Sequence, residues 1–203
     1  MKSRKAIVYI VDDEYSICDA LKGLLSALDF CVKAYTRPEK FLKEVNDRNP
    51  GCILLDLKMP GMGGFEVQSR LNEMGVQLPV LFLTGYGDVP SSVRAFRAGA
   101  ENFLEKPVRN SELISNIREA IRKEEDRRHR DAETSAASRQ LATLTRRERE
   151  VYGLVVRGFT NRKIGSSLGI TEKTVKVHRQ RVMQKMKVSS LAELARLAER
   201  LEG

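Results

Sequence analysis

Five residues in the first half of the chain could together carry out phosphoryl-group chemistry: Asp12, Asp13, Asp56, Thr84 and Lys106. Three carboxylates that lie close together need a cation to balance their charge, and Mg²⁺ accepts oxygen ligands of this kind. With two carboxylates engaged on the ion, Asp56 is the best candidate to attack phosphorus and form an acyl phosphate. The Lys106 ammonium would then neutralise the transferred group, and the Thr84 hydroxyl could hydrogen-bond one of its oxygens.

Each of these residues follows an apolar stretch that is predicted as a β-strand. Such stretches, rich in β-branched residues, alternate with segments whose apolar residues recur at helical spacing. This alternation predicts a doubly wound α/β fold with a five-stranded parallel sheet in the flavodoxin-like order 2-1-3-4-5. Because the carboxyl ends of parallel strands meet at one edge, the five side chains are expected to converge. The predicted strands are 6–11, 31–35, 52–55, 80–83 and 102–104.

The helical spacing predicts where the first domain ends. Pro90 suits the first turn of one helix, and the last helix begins near Ser111. Residues 123–130 are charged or polar and residues 131–138 are small and polar, which is typical of a solvated helix extension or linker. The helical segments are centred on 17–28, 65–71, 93–100 and 113–121. We divide the chain into an α/β domain over 1–125, a linker or helix extension over 126–140, and a helical domain over 141–203.

Four helices are predicted in the last part of the chain. Capping boxes at Thr145–Glu148 and Ser190–Glu193 begin the first and the last of them. A short helix over 161–168 ends at Gly169, and a longer helix follows over 171–186. A short helix, a tight glycine turn and a longer helix resemble a helix-turn-helix unit.

The excess positive charge of the chain lies entirely in this helical part. Residues 1–125 hold 18 basic and 18 acidic side chains, whereas residues 126–203 hold 18 basic and 9 acidic side chains. The longer helix presents polar and basic residues outside its apolar face: Lys173, Lys176, His178, Arg179, Gln180 and Arg181. A helix fits the major groove of DNA, where such side chains reach base edges and phosphates. The alternative is an ordinary amphipathic helix with a solvated basic face.

The composition also argues against several classes of protein. No apolar run reaches the roughly 20 residues of a membrane span, and the apolar stretch after the basic start is too short for a signal peptide. Cys18, Cys31 and Cys52 are odd in number and lack the spacing of a zinc site or a disulfide framework. We therefore expect a cytoplasmic protein with no membrane partner.

Several motifs of the first domain resemble the signature set of response-regulator receiver domains, over about residues 4–125. The matching segments are VDDE at 11–14, LLDLKMPGMGG at 54–64, LTG at 83–85 and EKP at 105–107. The resemblance implies phosphorylation of Asp56 by a sensor histidine kinase. It also implies Mg²⁺ bound by Asp13, Asp56 and the backbone carbonyl of Lys58, with Asp12 acting mainly through a water.

The same resemblance suggests a conformational switch. It implies a cis peptide bond between Lys106 and Pro107, and an aromatic residue, here Phe103, that turns inward together with Thr84. An aromatic residue in a strand is as readily explained by core packing, so both interpretations of Phe103 stay open. Phosphorylation would then favour a homodimer through a face that carries Arg94 and Arg97, with the last helix as a second dimer contact.

The helical part resembles the LuxR-type helix-turn-helix domain, and the whole chain is similar to the FixJ/NarL group of response regulators. The matching segments are LTRREREV at 144–151, GFTNRKIG at 158–165, LGIT at 168–171, TVKVHR at 174–179 and MQKM at 183–186. The resemblance implies that Asn161 and Arg162 hold DNA phosphates. The residues it implies to face DNA are Lys173, Thr174, Lys176, Val177 and Arg179. RNA polymerase is a further candidate partner.

Two other functions compete with a phosphorylation-activated transcription regulator. A Mg²⁺-dependent phosphatase that forms an aspartyl phosphate commonly has a second acid two residues after its nucleophile. Lys58 stands there instead, so we expect a regulator and not an enzyme. A DNA-binding protein with a vestigial receiver is disfavoured because all five residues of the phosphoryl-transfer set are present.

Overall fold

A computed structural model describes residues 5–85 and 102–202. The chain divides into two compact units, Met1–Arg128 and His129–Gly203, which are described one after the other. The helix predicted around 93–100, with Pro90, Arg94 and Arg97, lies outside the described residues.

The first unit is built on a parallel sheet of five strands. Its order is β2-β1-β3-β4-β5, which confirms the predicted doubly wound α/β fold. Every residue of β1, β3 and β4 is buried, because these strands are covered on both faces. The strands are β1 (Ile7–Val11), β2 (Cys31–Tyr35), β3 (Gly51–Asp56), β4 (Val80–Thr84) and β5 (Asn102–Glu105).

Helices pack on both faces of this sheet and enclose two separate cores. Tyr9, Ile53 and Phe82 point to one face, and their neighbours Ile10 and Leu54 point to the other. This alternation is the two-residue period of a β-strand, here with apolar residues on both sides. The first three helices are α1 (Tyr15–Ser26), α2 (Pro38–Glu44) and α3 (Gly64–Glu73).

The short helix α2 was not among the predicted elements. Pro38 occupies its first turn, and the aromatic ring of Phe41 is fully buried between Tyr9 and Tyr35. With seven residues the helix makes about two turns, too few to show an apolar repeat in the sequence.

A long helix, α4 (Asn110–Ala142), follows the sheet. Its 33 residues correspond to about 50 Å at 1.5 Å per residue. Leu113, Ile117 and Ala120 of its first turns are buried against the sheet. The helix includes residues 126–140, which we had interpreted as a linker or a helix extension, and the boundary between the two units falls within it.

The second unit contains four further helices around one apolar core. Val151, Ile164, Val175, Val182 and Leu194 are buried in this core. Among the described helices of both units, none is long and apolar enough to cross a membrane. The helices are α5 (Arg146–Val156), α6 (Asn161–Leu168), α7 (Glu172–Lys185) and α8 (Leu191–Glu202).

Hydrogen bonds at the helix starts explain these boundaries. The predicted capping box of α5 is formed, with Glu148 N–H donating to Thr145 Oγ1 at 3.3 Å and Thr145 N–H donating to Glu148 Oε2 at 2.8 Å. At the start of α8, Glu193 N–H donates to Ser190 Oγ at 3.2 Å, and the Glu193 carboxylate accepts from the N–H of Ser189 at 2.8 Å.

Two glycines make the connection between α6 and α7 possible. Gly169 has φ of 65°, a left-handed conformation that side chains other than glycine rarely adopt. A Cβ on Gly165 would lie 2.7 Å from the backbone oxygen of Ile170. The helix-turn-helix geometry therefore depends on two positions without a side chain.

Candidate functional site

The carboxyl edge of the sheet brings two acids and one lysine into contact. Asp12 follows β1, Asp56 ends β3 and Lys106 follows β5. The Lys106 ammonium donates to Asp12 Oδ2 at 2.6 Å and to Asp56 Oδ1 at 2.5 Å. Both carboxylates are buried, whereas the Lys106 side chain is 24% exposed. We call these three residues the acidic pocket.

Backbone groups hold the other oxygen of each carboxylate. Glu14 N–H donates to Asp12 Oδ1 at 2.9 Å, and Lys58 N–H donates to Asp56 Oδ2 at 2.8 Å. Each acid thus accepts one ammonium and one amide hydrogen bond, which fixes the plane of the carboxylate. The carboxylate of Asp56 therefore has a defined orientation at the carboxyl edge of the sheet.

Burial and pairing set the charges of the acidic pocket. Burial raises the pKa of the Asp56 carboxyl, and the Lys106 ammonium offsets this effect only in part. Burial alone would lower the pKa of Lys106, but its hydrogen bonds to Asp12 and Asp56 outweigh burial and the pKa is raised. One ammonium shared by two carboxylates leaves net negative charge in the acidic pocket.

Asp13 and Thr84 of the predicted phosphoryl site, and Phe103 of the predicted switch, have the following surroundings. Asp13 is exposed, and the described residues contain no group of three acidic, histidine or cysteine side chains that could hold a metal ion. Thr84 is buried at the end of β4, and its hydroxyl donates to the carbonyl of Gly85 at 3.2 Å. Phe103 is half-buried and stacks on Phe82 with ring centroids 5.2 Å apart.

Two glycines in the loop after Asp56 meet requirements that a larger residue would not, one of backbone angle and one of space. Gly61 has φ of 78°, and a Cβ on Gly64 would lie 2.5 Å from the backbone oxygen of Asp56. The peptide bond between Lys106 and Pro107 is cis, as the resemblance implied. The glycines allow α3 to begin directly against the end of β3, beside the acidic pocket.

The second candidate site is the outer face of α7. Val175 and Val182 bury one side of the helix, while Lys173, Lys176 and Val177 are exposed. Val177 is 43% exposed, and its methyl groups are of the type that contacts a thymine methyl group. This face combines positive charge with one apolar contact point.

The other residues expected to contact DNA have partners within the protein or lie at its surface. Thr174 N–H donates to the hydroxyl of Thr171, which caps α7. Arg179 Nη1 donates to Asn161 Oδ1 at 2.8 Å, and both side chains are half-buried. Arg162 is exposed at the start of α6. Asn161 is thus placed against Arg179, a pairing that the sequence analysis did not predict.

An ion pair attaches α7 to the start of α5. Lys185 donates to Glu148 Oε2 at 2.6 Å and to the carbonyl of Thr143 at 3.1 Å. The hydrogen bond from Lys185, together with that from Thr145 N–H, lowers the pKa of Glu148 to about 2. The sequence analysis identified Glu148 as a capping residue and missed Lys185, because a contact over 37 residues leaves no local pattern.

Comparisons with known proteins match both units. The family model of the response regulator receiver domain matches residues 8–118, and that of the bacterial regulatory proteins of the luxR family matches residues 142–198. Response regulator protein TodT of Pseudomonas putida is 39% identical over 202 residues, covering 100% of this chain and 89% of TodT.

Solved structures agree with this result over nearly the whole chain. Response regulator StyR has 38% identity and a TM-score of 0.85, covering 97% of this chain and 99% of StyR. Full-length FixJ from B. japonicum has 35% identity and a TM-score of 0.62, covering 98% of both chains. The chain therefore belongs to the two-component response regulators of the FixJ/NarL family, with a receiver domain and a LuxR-type helix-turn-helix DNA-binding domain.

Proposed function

We propose that Asp56 accepts a phosphoryl group from a sensor histidine kinase and that this event controls binding of promoter DNA by α7. The observation that carries the proposal is the contact of the Lys106 ammonium with both Asp12 and Asp56. In this arrangement a nucleophilic carboxylate, a second acid and a charge-neutralising cation lie within hydrogen-bond distance at an open sheet edge.

The transfer step follows from the position of Asp56. One of its carboxylate oxygens forms a bond to phosphorus while the phosphorus–nitrogen bond of the donor phosphohistidine breaks. The electron pair of that bond stays on the imidazole nitrogen, which takes up a proton. Lys106 already contacts Oδ1 of Asp56 and would pair with a phosphoryl oxygen, so positive charge stays close to the developing negative charge.

The residues around Asp56 also suit Mg²⁺. The carboxylates of Asp12 and Asp56 and the backbone carbonyl of Lys58 are oxygen donors of the type that Mg²⁺ prefers, and the exposed Asp13 can supply another. The net negative charge of the acidic pocket favours a divalent cation. When bound, the ion would supply positive charge against the phosphoryl oxygens.

Thr84 and Phe103 would carry the signal away from the acidic pocket. The Thr84 hydroxyl donates to the Gly85 carbonyl, and a phosphoryl oxygen on Asp56 offers it a stronger, charged acceptor. Movement of Thr84 would let Phe103 pack further inward, which shifts the population toward an active conformation. The active form is a homodimer that places two recognition helices roughly 34–36 Å apart on DNA.

The face of α7 would read the DNA. Lys173, Lys176 and Val177 are exposed there, and Thr174 and Arg179 border them. The family resemblance assigns Asn161 and Arg162, at the start of α6, to the DNA phosphates. A protein that binds promoter DNA works in the cytoplasm, and RNA polymerase at the same promoter would be a further partner.

We propose that the protein is a regulator and not a turnover enzyme. The residue two positions after Asp56 is Lys58, at the place where an aspartyl-phosphate phosphatase commonly has a second acid. The working division of the chain is a receiver domain over 1–125, a helical connection over 126–140 and a DNA-binding domain over 141–203.

Incubation with acetyl phosphate and Mg²⁺, followed by intact-mass measurement, tests the phosphoryl-transfer step. We expect one added phosphoryl group on the wild type and on the Asp19→Asn control, whose carboxylate is exposed on α1, and none on Asp56→Asn. Labelling of Asp56→Asn, or steady release of phosphate with no labelled protein, would contradict the proposal.

A further inference from the structure

Asn161 and Arg179 join the two helices of the helix-turn-helix unit. Asn161 is the first residue of α6, Arg179 lies in the middle of α7, and Arg179 Nη1 donates to Asn161 Oδ1 at 2.8 Å. Because a guanidinium only donates hydrogen bonds, the atom that faces it is the amide oxygen, and the amide nitrogen is turned away. The contact therefore fixes both side chains.

Arg179 differs from three other basic residues of α7. Lys173, Lys176 and Arg181 are exposed, whereas Arg179 is half-buried. Within the described parts of the chain, Arg179 has no carboxylate partner, and the group that holds it is a neutral amide. A neutral partner orients the guanidinium and leaves its full positive charge available to DNA.

The bond to Asn161 uses one of the five N–H donors of Arg179. In the part of the chain that the structure describes, no second hydrogen bond of the Arg179 side chain is found, so its other donors can serve DNA beside the exposed residues Lys173, Lys176 and Val177. A guanidinium that donates two parallel hydrogen bonds to guanine is the commonest specific contact in the major groove. Such a contact needs a defined plane, and ordering a flexible arginine in advance removes part of the entropy loss on binding.

We propose that Asn161 is a positioning residue that aims Arg179, so that Arg179 discriminates between DNA sequences and Asn161 is not itself a phosphate contact. This inference rests on the proposed function of α7 as the helix that enters the major groove. It replaces the expectation, taken from the family resemblance, that Asn161 holds a phosphate.

The test compares two duplexes over a range of salt concentrations. One is selected from a pool of random sequences with the full-length wild type, and the other is a scrambled duplex of the same composition. We expect Asn161→Ala to lose about tenfold in affinity for the selected duplex, with the scrambled duplex and the salt dependence unchanged. Asn161→Asp keeps the acceptor but adds a negative charge beside Arg179, so it should weaken binding to both duplexes while retaining the wild-type ratio of the two affinities.

Arg162→Ala serves as the comparison for a true phosphate contact. It should weaken binding to both duplexes equally and lower the slope of log affinity against log salt by about 0.9. If Asn161→Ala behaves like Arg162→Ala, the proposal is overturned. Circular dichroism checks that each variant is folded. If Asn161→Ala is not folded, Arg179→Lys is tested instead. This variant keeps the positive charge but should bind the selected and the scrambled duplex with similar affinities.

A double-mutant comparison separates positioning from an independent contact. Asn161→Ala combined with Arg179→Ala should bind no more weakly than Arg179→Ala alone, and additive losses would overturn the proposal. If the wild type does not distinguish the two duplexes, the proposed function fails. If the wild type distinguishes them and Asn161→Ala does so equally well, only the positioning role fails.

Discussion

Replacing Glu148 by glutamine is expected to destabilise the LuxR-type domain by about 2 kcal/mol at neutral pH. The side chain is 3% exposed, and its carboxylate accepts hydrogen bonds from Lys185 and from Thr145 N–H. Those contacts lower its pKa from 4.5 to about 2. At roughly 1.4 kcal/mol per pH unit the shift corresponds to about 3 kcal/mol. Lys185 is 35% exposed and can regain water, which reduces the expected loss.

The sign of the pH dependence follows from the lowered pKa. The folded state keeps Glu148 ionised down to about pH 2, whereas the unfolded chain protonates it near 4.5. The stabilisation is therefore complete above pH 4.5 and is lost as the pH falls toward 2. The difference in stability between wild type and Glu148→Gln should narrow over this range.

Native-state hydrogen exchange at the amides of α5 and α7 reports the stability of the second unit alone. Measured at pH 7 and again near pH 3, it gives the difference in stability between the wild type and Glu148→Gln at each pH. Glu199→Gln, on the exposed face of α8, is the matched control and should leave exchange unchanged. A Glu148→Gln variant as stable as wild type at pH 7, or an equal deficit at both pH values, would refute the reasoning.

Three further predictions concern the turn, the loop after Asp56 and the switch. Gly165→Ala places a Cβ 2.7 Å from the backbone oxygen of Ile170 and should lower the free energy of unfolding of the second unit by about 1–3 kcal/mol. Gly153→Ala has open space around it and should not. Equal melting temperatures for the two variants would refute this prediction. Gly64→Ala places a Cβ 2.5 Å from the backbone oxygen of Asp56 and should slow labelling by acetyl phosphate by about tenfold. The control Gly63→Ala, with a nearest contact of 3.6 Å, should label at the wild-type rate. Equal labelling rates for the two variants would contradict this prediction. Thr84→Ala should accept the phosphoryl group without gaining DNA affinity, as judged by gel shift, whereas Thr84→Ser should respond like wild type.

The sheet could be predicted from the sequence because its strands are unusually apolar. β1, β3 and β4 are covered on both faces, so their sequences are apolar runs; a polar residue follows β1 and forms the last position of β3 and of β4. The α2 helix was missed for the opposite reason, since seven residues with one fully buried ring, that of Phe41, carry no periodic signal.

The meeting of Asp12, Asp56 and Lys106 could be foreseen for a topological reason. Parallel strands end at the same edge, so residues far apart in sequence are placed side by side by the fold itself. Which of the two adjacent acids contacts Lys106 could not be foreseen in this way, because neighbouring residues at a strand end point in different directions.

Only some contacts of the second unit can be predicted from local sequence patterns. The capping box at Thr145 could be read from four consecutive residues and is formed. The pairs Glu148–Lys185 and Asn161–Arg179 span 37 and 18 residues and depend on how the helices pack. Side chains that hold a recognition helix in place therefore become visible only in the folded domain.

The central claim is that a phosphoryl group on Asp56 controls DNA binding by α7. Its most direct test is the affinity of the full-length protein for the selected duplex, measured with and without acetyl phosphate and Mg²⁺. We predict that treatment strengthens binding by the wild type and leaves Asp56→Asn unchanged. An equal gain in both proteins, or no gain in a wild type that carries the added phosphoryl group, would contradict the account.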